Sequence, residues 1–276
     1  MSNNIDHRTV AGFGEEWSYY HQGQQIDSEL EKIFQQYFSI FPWSALPSDS
    51  VGFDLGCGSG RWARLVAPRV GHLHCIDASD KALEVAGRNL RSMSNCSFHH
   101  ASVDEIPLPD DSMDFGYSLG VLHHVPDTLA GLRCCVDKLK PGAPFLVYLY
   151  YALDNRPLWF QLLWRASDLL RRGVSSLPSG ARLRTTQVIA ATVYWPLARF
   201  ARLAEKAGAP VRNLPLAAYR SHSFYTMRTD ALDRFGTQLE QRFTAEQIRA
   251  MMQQAGLRDI VFSQREPFWC AVGYRR

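Results

Sequence analysis

An α/β fold with a mostly parallel sheet is predicted by three observations. From Val51 to about Leu153, short apolar runs alternate with helical stretches, the pattern of successive βαβ units. Each apolar run ends in a polar or glycine-rich turn. Of 276 residues, 46% are hydrophobic and 21% charged, the proportions of an ordinary globular protein with ample core. That length accommodates one large domain, or one domain carrying a sizeable insertion.

The strands are Val51 to Leu55, His72 to Ile76, Ser97 to His100, Met113 to Leu119 and Pro144 to Tyr150. Helices are predicted over Arg61 to Ala67, Lys81 to Leu90 and Asp127 to Leu139. Ser79 or Asp80 is placed to cap the second, and Lys140-Pro141-Gly142 stops the third. Further on, Thr244-Ala245-Glu246-Gln247 is a capping-box pattern, Ile248 to Gln254 continues as helix, and Gly256 suits its end. A strand over Asp259 to Ser263 follows, with Phe268 to Val272 able to pair antiparallel to it.

Two segments lie outside this frame. Residues 1–50 hold Phe13, Trp17, Tyr19 and Tyr20, then a helical run through Leu30, Ile33, Phe34, Tyr37 and Phe38, and form an N-terminal helical cap on a core of residues 51–153. Residues 154–230 form a helical insertion, and 231–276 complete the sheet. In the insertion Trp159, Leu162, Leu163, Ala166 and Leu170 recur at helical spacing, with Arg165, Asp168 and Arg172 on another face. Ile189, Val193, Leu197, Phe200 and Ala204 do likewise, and Pro196 should kink or divide that helix.

Net charge is +3, yet Leu153 to Asn213 holds nine arginines and Lys206 against Asp154, Asp168 and Glu205, a local charge of +7. Six cysteines (57, 75, 96, 134, 135, 270) show neither a C-x-x-C pair nor regular spacing, which argues against a zinc knuckle or a disulfide framework. No metal site is expected. The polar start, Met1 to Val10, has no leader-like apolar stretch, and the longest uncharged apolar runs fall well short of a bilayer span, so a cytoplasmic protein is the expectation.

The densest signal is Val51-Gly52-Phe53-Asp54-Leu55-Gly56-Cys57-Gly58-Ser59-Gly60, an apolar strand entering a D-x-G-x-G-x-G turn that opens a helix. Glycines there let a bulky ligand lie against the backbone, because a Cβ would occupy its space. The dinucleotide fingerprint G-x-G-x-x-G fails, since Arg61 stands at its third glycine position.

This block resembles the first motif of the class I S-adenosylmethionine-dependent methyltransferases, in the quinone-methyltransferase-like, type 11 branch, and the resemblance runs from about Val51 to Leu153. It implies a Rossmann-like three-layer sandwich and S-adenosylmethionine as cofactor. By the same resemblance Asp54, Gly56, Cys57, Gly58 and Gly60 lie beneath the cofactor's amino-acid moiety. Asp77, followed by Ala78, ends the second strand and binds the ribose hydroxyls. Ser102 and Val103 fall where family members contact adenine, although Ser102 replaces a frequent Asp. Leu119 and Gly120 line the methionine part, and the following side chains reach the acceptor.

Methyl transfer from a sulfonium is an in-line displacement in which alignment and exclusion of water do most of the work. For a hydroxyl acceptor a near-neutral histidine would take the proton, which makes His123 and His124 the candidate bases. Packing alone also accounts for them. Trp17, Tyr20, Tyr150, Arg220, His222, Tyr225 and Arg228 are candidates for acceptor contact, with the insertion as its lid; Phe13, Trp17 and Tyr20 suit a packed core better than a cofactor lid. The acceptor expected is a small molecule, amphipathic or anionic, with O-methylation favoured. An RNA-modifying enzyme and a peripheral membrane protein are the competing readings; no appended RNA-binding module or N/D-P-P-Y tetrapeptide supports the first, and no nucleic-acid partner is expected. A nucleotide-dependent oxidoreductase is a third.

Overall fold

The computed structural model describes residues 4–20 and 27–276, which divide into two units: residues up to 152 together with Leu239–Arg276, and Leu153–Gln238. The first carries a seven-stranded sheet made of β1 (Val51–Leu55), β2 (His72–Asp77), β3 (Cys96–His100), β4 (Phe115–Leu119), β5 (Pro144–Tyr148), β6 (Leu257–Phe262) and β7 (Cys270–Arg275). Their order is β3-β2-β1-β4-β5-β7-β6. The first five run parallel, and β7 enters antiparallel between β5 and β6. The chain therefore starts in the middle, winds to one edge and returns to the other side, which leaves a topological switch point between β1 and β4 where open α/β sheets bind ligands.

Helices cover both faces. On one lie α5 (Thr128–Lys138) and α10 (Ala245–Gln254), with Leu132, Val136, Ile248 and Met252 buried against Phe53, Phe145 and Val147. On the other, α2 (Asp27–Tyr37), α3 (Ala63–Val66) and α4 (Asp80–Asn89) bury Phe34, Val66 and Ala86 against Leu73, Tyr117 and Leu146. Strand glycines make room within the sheet: a Cβ on Gly52 would lie 2.3 Å from the Phe115 ring, and one on Gly116 2.4 Å from Phe53.

Local chemistry sets the helix starts. Ser79 accepts from the Ala82 amide, Asp127 from that of Ala130, and the Thr244–Gln247 capping box is complete, each cap being worth about 1 kcal/mol. Gly256 ends α10 at φ +97°. Several boundaries differ from expectation; β5 stops at Tyr148, two residues early, and the last strand runs over Cys270–Arg275 in place of 268–272. The helix after the glycine turn is shorter, because Pro68 lacks an amide hydrogen and the chain tightens into a 3-10 turn over Ala67–Arg69. β4 starts at Phe115, as the Asp114 carboxylate instead accepts from the Val51 amide at 2.8 Å and pairs with Lys140. β6 begins earlier, at Leu257, and bulges around Asp259.

The second unit consists of α6 (Leu158–Ser175), α7 (Ser179–Ile189), a π-helical turn Ala190–Tyr194, α8 (Trp195–Lys206) and α9 (Phe224–Gly236). Its small core is Val174, Ala190, Tyr194, Ala198, Met227, Ala231 and Phe235. Pro196 does not divide the helix: it sits in the first turn of α8, and the wider π turn just before it takes up the missing hydrogen bond. Arg171 faces inward, paired with Asp168 at 2.6 Å and donating to the Thr237 carbonyl at 2.7 Å.

Candidate cofactor and acceptor site

The turn after β1 is fixed before any ligand arrives. The Gly56 and Cys57 amides both donate to the Ile76 carbonyl at the end of β2, at 2.7 and 3.0 Å, and Asn89 holds the Ser59 carbonyl at 2.9 Å. Gly58 has φ +55°, a conformation that disfavours any L side chain. The Asp77 carboxylate reaches across from the end of β2: its Oδ2 accepts from the Gly58 amide and its Oδ1 from the Ser79 amide, both at 2.9 Å. Burial raises the Asp77 pKa, opposed by those two N–H groups. An ionised carboxylate offers about four acceptor positions, so roughly two remain for a ligand.

Asp54, one residue inside β1, is fully buried, and burial pushes its pKa up to about 8 against the effect of the neighbouring Tyr117 hydroxyl. Its Oδ2 has no hydrogen-bond partner among the described residues. At neutral pH it is therefore a protonated acid beneath the turn. Cys57 is buried and its thiol is raised to about 11, which makes it a packing residue and no nucleophile.

Helix α1 (His7–Tyr19) spans the carboxyl ends of these strands. Its Trp17 indole lies against Gly58, where a Cβ would come within 3.0 Å of it; Gly14 abuts Ser79; and the Phe13 ring meets His124 edge-on at 5.0 Å. Asn4 anchors the approach to α1, taking part in hydrogen bonds with Asp104 and with the Asp127 backbone. Tyr20 is buried. Trp17 thus covers the glycine turn, while Tyr20 packs into the interior. Among the adenine candidates, Ser102 donates to Asp104 at 2.5 Å and the Val103 side chain belongs to the core. The Ala78 carbonyl meets His100 Nε2 at 3.0 Å.

Beyond β4, the buried Leu119 leads to Gly120, whose amide donates to the Tyr148 carbonyl at 3.1 Å and whose φ is +81°. A 3-10 turn, Leu122–His124, then buries two imidazoles. The His124 Nδ1 lies 2.6 Å from the Leu239 carbonyl, which fixes it as the protonated nitrogen and leaves Nε2 with the lone pair. His123 is fully buried, and neither ring nitrogen has a hydrogen-bond partner among the described residues. Burial first, then His124 and Arg242, hold its pKa well below the ordinary imidazole value, so the ring is neutral. It stacks on Tyr150 at 3.8 Å.

The Arg242 guanidinium also lies over the Tyr150 ring, at 5.0 Å, and is itself paired with the buried Glu240 at 2.7 Å. Neither Glu240 nor Arg242 stood out in the sequence, where they precede the capping box without a motif of their own. The Gln241 amide, donating to the His123 carbonyl at 3.0 Å, brings that segment to the site.

Four further candidates belong to the second unit and take part in its own packing. Arg220 pairs with Glu205 at 2.9 Å and donates to the Ala217 carbonyl. The His222 carbonyl accepts from Arg199, the Tyr225 carbonyl from Thr229, and Arg228 lies 6.0 Å from the Phe224 ring.

A mostly parallel sheet of this order, with a glycine turn after β1 and an acid at the end of β2 bonded to that turn, defines a Rossmann-like α/β domain. Residues 53–147 match the Methyltransf_11 family, described as a methyltransferase domain. The ubiquinone biosynthesis O-methyltransferase of Aromatoleum aromaticum is 34% identical over 105 residues, covering 37% of this chain and 43% of that protein. The demethylmenaquinone methyltransferase of Staphylococcus aureus (strain JH9) is 36% identical over 113 residues, covering 40% and 46%. The chain thus spans less than half the length of these two curated relatives. A chain of the complex between the Haloferax volcanii Trm112 methyltransferase activator and a methyltransferase superposes with a TM-score of 0.51 over 95% of this chain and 96% of its own, at 15% identity, a likeness of fold.

Proposed function

We propose that this chain transfers a methyl group from S-adenosylmethionine to a small or amphipathic acceptor, with O-methylation of a phenol-like hydroxyl as the favoured reaction. The observation that carries it is the Asp77 carboxylate held on the Gly58 amide at the switch point of the sheet, under the Trp17 indole. The two relatives act, by their names, in ubiquinone biosynthesis and on demethylmenaquinone, and this supports an aromatic acceptor of the quinone class.

The residues present suit the cofactor. Asp77 retains acceptor capacity for sugar hydroxyls, and Gly58 carries no side chain of its own on the side where the Trp17 indole rests, so a ligand laid there would take the place of the indole. When bound, S-adenosylmethionine supplies a methyl on a positively charged sulfur. Asp77 and the turn orient it, and Trp17 excludes water from above the turn. Because charge is lost as the methyl leaves sulfur, a dry site favours transfer. His124 is the base of this reading: its Nδ1 hydrogen bond aims the Nε2 lone pair and steadies the proton it takes. His123, neutral and with neither ring nitrogen hydrogen-bonded among the described residues, donates its N–H to the acceptor oxygen, and Tyr150 and Phe13 form the apolar walls.

The test is transfer of labelled methyl to a panel of phenols and quinols. His124→Asn should lower kcat by about 10²–10⁴-fold while S-adenosylhomocysteine affinity stays within about two-fold. Unchanged turnover in that variant contradicts the assigned base, and no turnover by the wild type on any hydroxyl acceptor contradicts O-methylation.

A further inference from the structure

The helical unit wears its apolar residues outside. On α6, Leu158, Trp159, Leu162, Leu163, Leu169 and Leu170 are each between 50% and 77% exposed. At 3.6 residues per turn they share one arc of about 140°. The polar Asp168–Arg171 pair lies inward instead, against the Thr237 carbonyl. The same inversion recurs on the run through α7 and α8, where Val188, Phe200 and Leu203 are exposed while the small Ala190, Ala198 and Ala201 are buried. Monomeric proteins rarely show water so continuous an apolar face.

Charge says what covers it. The α6 arc is bordered by the exposed Arg165 and Arg172, and α8 carries exposed Arg202 and Lys206. Leu153 to Asn213 as a whole carries +7, and of its acids Asp168 is bound to Arg171 and Arg172, and Glu205 to Arg220. A protein partner for a stripe of leucines would need only apolar complementarity. Leucines and tryptophans edged by cations instead suit the boundary of an anionic bilayer, where apolar side chains enter the acyl region and guanidinium groups meet phosphates. No helix among the described residues is long and apolar enough to cross a membrane, so α6 would lie in the surface plane.

We infer that the Leu153–Gln238 unit docks on anionic lipid surfaces through the exposed face of α6, aided by that of α8. Such docking delivers the chain to a membrane-dissolved acceptor, yet vesicle binding requires neither cofactor nor methyl transfer, so either reading can fail alone.

Co-sedimentation of the full chain with vesicles of phosphatidylcholine, and of phosphatidylcholine mixed with phosphatidylglycerol, tests it. The wild type should bind the mixed vesicles and bind the neutral ones at least about ten-fold more weakly, and salt should weaken the former. Leu162→Glu with Leu169→Glu should lower partitioning more than about thirty-fold. Arg165→Glu with Arg202→Glu should cost at least about five-fold for each cation, on anionic vesicles only. Phe98→Glu, an exposed apolar site in the sheet unit, should change nothing. All variants should keep the wild-type unfolding midpoint within a few degrees, since the sites are exposed.

Three results overturn the inference: wild type left in the supernatant at low salt, binding that survives the double leucine variant, or a wild-type oligomer that this variant splits into monomers. The last would assign the face to a second copy of the chain.

Discussion

In the sheet unit, Phe145, Leu146 and Val147 of β5 are wholly buried, whereas in the helical unit Leu158 and Leu169 on α6 are largely exposed. Of the sixteen large apolar side chains exposed among the described residues, thirteen lie between Leu153 and Gln238. The two regions have similar apolar content and opposite uses for it. In the first, apolar residues hold together a sheet whose strand ends carry a binding turn. In the second, Val174, three alanines, one tyrosine, Met227 and Phe235 suffice for a small core, and many of the larger residues are left for a surface.

The largest break expected is at Gly116. Gly116→Val would drive its side chain into Phe53 from a position 2.4 Å away, and should abolish cooperative thermal unfolding. A native-like transition in that variant would mean the sheet yields where the packing says it cannot. Next comes the contrast itself. Leu146→Ala should cost about 2–5 kcal/mol in urea unfolding, and Leu169→Ala less than about 0.5 kcal/mol. Similar losses at both would erase the distinction between the units.

Trp17→Ala should weaken S-adenosylhomocysteine binding about ten-fold, or about 1.4 kcal/mol, if the indole, which rests on Gly58, moves aside and packs over the bound ligand. A drop in stability with unchanged affinity would make Trp17 a packing residue alone. Two further effects are spread over pH. Asp54 has its folded pKa raised from 3.8 to about 8, so the folded state holds a proton the unfolded chain has lost, and stability from this group falls as pH rises through that window. Asp54→Asn should remove that decline, a slope of at most about 1.4 kcal/mol per pH unit. His74 works oppositely. Its pKa is lowered to about 4 by burial beside His72 and His99, so stability is lost as pH falls from 6.5 towards 4, and His74→Phe should flatten that limb in urea titrations.

Much of the sheet was legible because its signals are local. Alternation of apolar runs and capped helices marked the five parallel strands, and Ser79 and Thr244 cap where their side chains suggest, while Asp127, expected as the first helical residue, is itself a cap. The glycine turn and Asp77 were legible as a pair, 19 residues from Gly58 along the chain and in contact through one amide hydrogen bond. The path of α1 was not: Phe13, Trp17 and Tyr20 have the spacing of any core helix, and only the fold puts Trp17 on Gly58 while Tyr20 goes inside. Glu240 and Arg242 were silent for a related reason. Arg242, with Glu240 paired to it, reaches Tyr150 because the chain returns from a long insertion, a contact between positions 92 residues apart that no local pattern encodes. On α6 the periodicity was plain, but periodicity cannot say which face is packed. The Asp168–Arg171 pair turned inward, and the leucines turned out.

The central claim is that the turn held by Asp77 binds the cofactor, and calorimetric titration with S-adenosylhomocysteine tests it most directly. Saturable one-to-one binding by the wild type, lost in a folded Gly58→Val variant whose side chain would meet the indole 3.0 Å away, is the predicted result. No binding by the wild type, or affinity retained by Gly58→Val, would contradict it.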